Sequence, residues 1–461
     1  MIELNKISRI YFVGIGGIGM SALARYFNAR QVAVRGYDKT ETVLTKQLVS
    51  EGIAVDYKDD PEFIDKDAQL VVYTPAIPKD HKGLNYYEQN NYAVVKRSDV
   101  LGAITNSSFN ICVAGTHGKT TTSSMVAHIL RHSGYGCNAF LGGIAVNYNS
   151  NFWSSEKNVC VVEADEYDRS FLKLSPDMAI ITAMDPDHLD IYGTAENVEQ
   201  AFIDFSAKIK PGGVLVNKFG LVRGNELKGD NKKSYHLNNE NADVYAADIK
   251  MNNGSYQFDV VQKDPIAIGW ILKDVVLNMG GMHNIENMIA AITVAHDLKI
   301  DDEKIKAAVS SFKGVKRRFE YIVKNEKVIY IDDYAHHPDE LKALITGAKK
   351  LFPSENCVVV FQPHLFSRTK DFADDFAASL DLADEVILLP IYPARELPME
   401  GVTSELIMGK MKNENRSVKT KEELLAWIEK NKTELLITAG AGDIDTLIVP
   451  IKEILNNGIG E

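Results

Sequence analysis

Short apolar runs closed by polar or glycine-rich turns recur along the chain, and most lead into a stretch with apolar residues at helical spacing. Ser8–Val13 precedes a turn and the apolar stretch Met20–Phe27; Val32–Tyr37 ends at Asp38; Leu70–Tyr73 ends at Thr74-Pro75; Tyr92–Val95 leads into Asp99–Ile104. Such runs, bounded by turn signals and alternating with helical periodicity, predict buried strands in parallel sheets made of βαβ units. The polar run Thr105-Asn106-Ser107-Ser108 reads as a linker, after which the pattern restarts with Phe109–Val113, the helical stretch Thr121–Arg131, Val159–Val162 and Met178–Thr182. Residues Asn217–Ile271 are less regular and suggest no chemistry, and Met279–Asn284 opens a helix over Ile285–Ala295. A third series comprises Val328–Ile331, a helix from Pro338 to Phe352, Val358–Phe361, Val386–Leu389 and Leu435–Thr438. The expected fold class is α/β in three domains: a Rossmann-like domain over 1–107, a central domain with a mostly parallel sheet over 108–315, and a second Rossmann-like domain over 316–461.

Chemistry gathers where these runs end. Phe109–Val113 runs into Ala114-Gly115-Thr116-His117-Gly118-Lys119-Thr120-Thr121 and then a helix. Free N–H groups and the positive dipole end of a helix hold phosphate, glycines let the backbone wrap it, a lysine reaches the terminal phosphates, and a following hydroxyl binds Mg2+. Lys119 and Thr120 fit those tasks, although Val113 stands where the full P-loop pattern has its first glycine, so the motif is a shortened form. Gly14-Ile15-Gly16-Gly17-Ile18-Gly19 is a second phosphate-type turn, with Asp38 about 20 residues on, where a dinucleotide fold places a ribose-binding carboxylate. Two such turns in series imply two nucleotide sites.

Several further positions stay open on spacing alone. Glu163 ends one strand run and His188 follows another, so both can converge on phosphates held by Lys119; His188 is equally a core or solvent-facing histidine. Asn284 and Asn287 suit a base edge or a helix cap. Arg368, after a strand and beside His364, suits a carboxylate or a surface ion pair.

Composition narrows the class. With 461 residues, 45% hydrophobic and 25% charged, the chain has ordinary globular usage and room for about three domains. A net charge of -12 argues against a nucleic-acid partner, and Lys316-Arg317-Arg318 reads as a local anion contact. Met1–Lys6 lacks the features of a signal segment and no run of about 18 apolar residues occurs, so a soluble, cytoplasmic protein is expected. Four cysteines lie far apart, as buried thiols in a reducing compartment would.

Taken in order, Gly14-x-Gly-Gly-x-Gly-Met-Ser, Gly115-Thr-His-Gly-Lys-Thr-Thr-Thr, Glu163-Ala-Asp-Glu, Asp187-His188, Gly281-x-His-Asn-x-x-Asn, Arg317-Arg-Phe-Glu, Asp332-Asp-Tyr-Ala-His-His-Pro and Pro363-His-x-x-Ser-Arg-Thr resemble the Mur ligases of peptidoglycan synthesis over essentially the whole chain. The resemblance implies that the first domain binds UDP-N-acetylmuramate rather than NAD, through Gly14, Gly16, Gly17, Gly19, Met20, Asp38 and Thr74. It implies ATP in the central P-loop-type domain, on Gly115 to Thr121, with His283 and Asn287 at the adenine, Arg318 at the phosphates and Asp333 at the ribose. Thr120 and Glu163 would hold one Mg2+ (or Mn2+), and His188 would help hold a second near the substrate carboxylate. His117 would face the muramate carboxylate, and His336, His364 and Arg368 the L-alanine. Lys119, His188, Glu163, His336 and Arg368 would be the catalytic set of an ATP-dependent ligase acting through an acyl phosphate, as a monomer or homodimer. Leu365 stands where some relatives carry a basic residue, which bears on amino-acid selectivity. Val198–Ser206 contains no lysine for carbamylation, in keeping with the alanine-adding branch. Competing readings are the ligase that recycles a whole peptide, an NAD-dependent oxidoreductase using Gly14 to Asp38, and a nucleotide sensor without turnover.

Overall fold

The computed structural model describes residues 3–263, 269–394 and 396–457, and its α/β architecture contains three mostly parallel sheets. The first comprises β1 (Arg9–Val13), β2 (Ala33–Tyr37), β3 (Ala54–Asp56), β4 (Leu70–Tyr73) and β5 (Val94–Lys96) in the order β3-β2-β1-β4-β5. All its pairings are parallel, so the strand order reverses between β1 and β4, where such sheets bind ligands.

The second sheet has ten strands: β6 (Phe109–Ala114), β7 (Asn138–Ala145), β8 (Ser150–Trp153), β9 (Val159–Glu163), β10 (Met178–Ile181), β11 (Val214–Lys218), β12 (Asn231–His236), β13 (Val244–Asn252), β14 (Ser255–Gln262) and β15 (Trp270–Leu277). Their order is β15-β14-β13-β12-β11-β10-β6-β9-β7-β8, which puts β6 between β9 and β10. The third sheet, β16 (Glu320–Lys324), β17 (Ile329–Asp333), β18 (Cys357–Phe361), β19 (Glu385–Leu388), β20 (Arg416–Val418) and β21 (Leu435–Ala439), has the order β16-β17-β21-β18-β19-β20 with only the β16–β17 pairing antiparallel.

The chain divides into two compact units, one of residues 1–247, 259–273 and 286–309, the other of 248–258, 274–285 and 310–461. In the first unit a single apolar cluster runs from Ile10, Phe12 and Phe27 to Phe140, Phe171 and Phe202, so the first sheet and β6–β11 share a core. Arg25, buried on the helix Ile18–Asn28, reinforces that junction. Its Nε and Nη2 donate to both carboxylate oxygens of Glu51 at 2.7 and 2.8 Å, and its Nη1 donates to Asn151 Oδ1. Next to it Tyr26 packs on Phe140 and Phe152, with ring centroids 5.3 and 6.2 Å apart.

Thr105–Ser108 connects the helix Arg97–Asn106 to β6: Asn106 and Ser107 are exposed, Thr105 and Ser108 are buried, Ser108 Oγ donates to Ile104 O at 2.9 Å, and the Asn110 amide donates to the carbonyls of Ser108 and Ser175 at 2.9 and 3.2 Å. Its polar composition thus both meets water and satisfies buried backbone groups. The described residues within 217–271 hold the end of β11, β12–β14 and the start of β15; buried Tyr256, Phe258 and Val260 carry a period-two pattern that surrounding polar residues obscure.

In the second unit a cluster of Tyr330, Val358, Val360, Ile387 and Leu436 forms the core of the third sheet. Asp332, fully buried on β17, accepts from Arg317 Nε at 3.1 Å and from Thr438 Oγ1 at 2.6 Å. All four cysteines are buried and free, and burial pushes their thiols up, which makes them inert. Among the described residues no helix is long and apolar enough to cross a membrane.

Candidate active site

β6 delivers the chain at the centre of the second sheet, and the turn 115–118 leads into the helix Lys119–His132. Gly115 (φ +140°) and Gly118 (φ +82°) hold backbone conformations that side-chain-bearing residues resist, and a Cβ on Gly115 would lie 2.1 Å from Thr182 Oγ1 and 2.8 Å from Ala183 N. The turn is therefore pressed against the end of β10, with Thr116 N donating to Ala183 O at 3.2 Å. Gly115→Ala is expected to destabilise the first unit by about 2–5 kcal/mol, from overpacking plus backbone strain, and to abolish nucleotide binding. Urea unfolding together with nucleotide titration checks both.

Lys119 Nζ sits at the mouth of the turn, donating to Gly115 O and to Glu166 Oε1, each at 2.7 Å. Thr120 Oγ1 donates to Glu163 Oε1 at 2.9 Å, and Gly142 N donates to Glu163 Oε2 at 2.8 Å. Burial raises the Glu163 carboxyl, against the pull of Thr120 and Lys119. His188, in the left-handed region (φ 51°), points its Nε2 to within 3.9 Å of Glu166 Oε1 and 3.8 Å of Asp187 Oδ2.

Thr120 pairs with Glu163, whereas His188 joins Glu166 and Asp187, whose ligand atoms all lie within 4.8 Å of one another. Glu166 Oε2 is buried and has no hydrogen-bond partner among the described residues. Two carboxylates and an imidazole, one oxygen of them unsatisfied, fit a divalent cation. Spacing alone missed Glu166 and Asp187 because the chain turns sharply after each strand.

At the first glycine turn the roles divide. Asp38 Oδ2 accepts from Gly16 N at 2.8 Å and its Oδ1 from Thr40 N at 3.3 Å, so this carboxylate braces the turn. Gly14 and Gly16 likewise shape the loop: a Cβ on Gly14 would meet Ile77 Cδ1 at 3.0 Å, and one on Gly16 would meet Thr45 Cγ2 at 2.7 Å. Gly17, Gly19, Met20 and Thr74 line a cavity of about 380 Å³ whose other wall includes Arg97, Gly142 and Glu163. The cavity runs from the first glycine turn to the carboxylate bonded to Thr120. Arg97, which sequence reading passed over, brings a cation into it and lies 3.4 Å from Asp165.

His117 is exposed on the P-loop-type turn, and Thr121 is buried on the first turn of the helix that follows. Asn287 is buried against that turn, its Oδ1 2.9 Å from where a Gly118 Cβ would stand. His283 is exposed on the first turn of the helix Met282–Asp297, while the Asn284 side chain donates to Gly280 O at 2.6 Å, the backbone-satisfying role.

On the third sheet the strand ends gather the remaining candidates. Asp333 accepts from Phe319 N at 2.6 Å and Ala335 N at 2.7 Å, and burial pushes its carboxyl up to about 6. Arg318 is exposed, its guanidinium 5.8 Å from the Tyr334 ring. His336 and His364 have ring centroids 6.3 Å apart, and burial lowers both imidazoles, helped at His364 by the Arg368 charge. Leu365, at φ 71°, carries the chain from His364 into the short helix that bears Arg368, a conformation unfavourable for a branched side chain.

Comparison with known proteins gives a consistent result. Residues 9–109 match the Mur ligase family catalytic domain, residues 113–295 the Mur ligase middle domain, and residues 317–442 the glutamate ligase domain of the Mur ligases. The UDP-N-acetylmuramate–L-alanine ligase of Cytophaga hutchinsonii is 48% identical over 100% of this chain and 99% of its own length. That of Flavobacterium johnsoniae is 46% identical over 99% of this chain and 100% of its own. The crystal structure of the UDP-N-acetylmuramate–alanine ligase of Thermotoga maritima superposes with a TM-score of 0.81 at 28% identity, covering 98% of this chain and 99% of that one.

Proposed function

The chain belongs to the Mur ligase family, and from that premise we propose that it joins L-alanine to the lactyl carboxylate of UDP-N-acetylmuramate, consuming ATP and releasing ADP and phosphate. Full-length identity of 46–48% to proteins named for that reaction carries the assignment. The cavity between the two glycine turns supports it, because a sugar nucleotide at the first turn would extend its lactyl arm toward Glu163 and the P-loop-type turn.

In this reading the backbone of 115–118 and the Lys119 ammonium cradle the ATP phosphates, and Asn287 flanks the turn on the adenine side. Thr120 with Glu163, and Glu166 with Asp187 and His188, would hold the divalent cations. Such ions offset charge on the transferring phosphoryl group. The lactyl carboxylate attacks the γ-phosphorus in line, forming an acyl phosphate while ADP leaves. The amine of L-alanine, near His336, His364 and Arg368, attacks the acyl carbon; phosphate leaves as the tetrahedral intermediate collapses. Arg318 and Asp333 serve the nucleotide, and His117 the muramate carboxylate. Functional parts with boundaries near residues 107 and 315, cytoplasmic action on soluble precursors, and a monomeric or dimeric state complete the proposal.

The experiment is phosphate release from ATP and Mg2+ with UDP-N-acetylmuramate, comparing L-alanine, other L-amino acids and the tripeptide. Release that needs both the sugar nucleotide and L-alanine is expected. Preference for the tripeptide would move the chain to peptide recycling, and turnover independent of the sugar nucleotide would overturn the ligase assignment.

A further inference from the structure

The loop after β19 folds back so that Tyr392 pairs with the residues ahead of Arg368: Leu365 N donates to Tyr392 O at 3.0 Å and Tyr392 N to Pro363 O at 2.8 Å. The Tyr392 ring stacks on His364 with centroids 5.8 Å apart and an interplanar angle of 16°. This return brings Glu396 to the same corner, where its Oε2 accepts from Ser367 N at 2.9 Å and its Oε1 from the Ser367 hydroxyl. Arg368 and Glu396 both act on the His364 imidazole, with opposite sign. Arg368 Nη1 and His364 Nδ1 are buried and find no hydrogen-bond partner among the described residues.

One corner of the fold therefore offers a fixed cation with an unused donor, a neutral imidazole with an unused nitrogen, and a fixed carboxylate. A carboxylate has about four acceptor positions, so the two bonds from Ser367 leave Glu396 able to receive more donors. A ligand that answers all three groups is a zwitterion, with a carboxylate for Arg368 and His364 and an ammonium for Glu396. We infer that Glu396 binds the α-ammonium of the incoming amino acid while Arg368 and His364 take its α-carboxylate, making Glu396 a specificity-determining residue for free α-amino acids over uncharged amines. The inference rests on the ligase reading given above. Ser367 fixes the carboxylate from below, so the amine nitrogen is presented from a defined direction rather than by a swinging side chain.

Glu396→Gln tests this, because the amide oxygen can still accept from Ser367 N. The readout is a ratio: kcat/KM for L-alanine divided by kcat/KM for hydroxylamine, a neutral amine that captures the acyl phosphate as a hydroxamate. The ratio is expected to fall at least tenfold, with the loss in KM for L-alanine. A parallel fall with both acceptors, or a ratio within twofold of the parent enzyme, overturns the inference in favour of a purely structural brace. Should the glutamine variant not fold, Glu396→Asp is measured in the same way, and a tenfold rise in the KM for L-alanine with hydroxamate formation falling less is the expected result. Failure of the parent enzyme to form hydroxamate in the presence of UDP-N-acetylmuramate and ATP would instead strike the ligase reading itself.

Discussion

Lys119→Ala is expected to lower phosphate release dependent on UDP-N-acetylmuramate and L-alanine by about 10²–10³-fold, the usual loss when a group aimed at developing transition-state charge is removed. The ammonium is held at 2.7 Å by both Gly115 O and Glu166, so it is placed before any phosphate arrives. Truncation also strips the counter-charge from Glu166, whose side chain is only 2% exposed. Lys119→Arg keeps the charge but not its compact head, and is expected to recover only part of the activity. Steady-state kinetics on both variants, with unfolding curves to show that the fold persists, decide the matter; activity within tenfold of the parent in Lys119→Ala would contradict the role given to this lysine.

Arg317→Ala should produce the largest loss of stability. It leaves Asp332 fully buried without its cation, and removing one member of a buried pair typically costs about 3–5 kcal/mol. The effect should depend on pH. In the parent protein burial pushes the Asp332 carboxyl up to about 7, against the pull of Arg317 and Thr438. A raised carboxyl favours the folded state fully below its unfolded pKa, and that contribution is lost as pH rises through the folded pKa. Without Arg317 the folded pKa lies higher still, so the variant goes on losing stability at pH values well above 7, beyond the range over which the parent titrates this group. The gap between the two is expected to be about 1 kcal/mol at pH 6, set by lost hydrogen bonds, and at least 3 kcal/mol at pH 9. Denaturant midpoints at the two pH values test the sign; a gap that narrows on going alkaline would show that Asp332 is not the group responsible.

What could be read from sequence and what could not divides along a physical line. Lys119, Thr120 and Glu163 were legible because each follows a β-rich run at a spacing that a strand and a tight turn enforce. The alternation of strands and helices was legible for the same reason, since periodicity records which side of an element is buried. Glu166 and Asp187 were not. Left-handed residues lie beside them, Asp168 and Arg169 just after Glu166 and His188 just after Asp187, and none is a glycine that would mark a turn in the sequence. Arg97 and Glu396 escaped because they reach their partners across 68 and 29 residues, by folds of the chain that no local pattern records. Composition and spacing also leave secondary roles unread: buried Ser108 hydrogen-bonds to Ile104 O beside exposed Asn106 and Ser107, and Asp38 accepts from the Gly16 amide of its own turn.

The lock formed by Arg25 and Tyr26 bears on how this protein is born. The helix Ile18–Asn28 leaves the ribosome early, but Phe140, Asn151 and Phe152, which cover it, follow more than 110 residues later. At typical translation speeds of about 5–20 residues per second that wait lasts on the order of ten seconds. Throughout it the first sheet exposes an apolar helix face and a guanidinium that lacks Asn151. Nascent chains stalled near residue 110 should therefore recruit chaperones more strongly than completed chains.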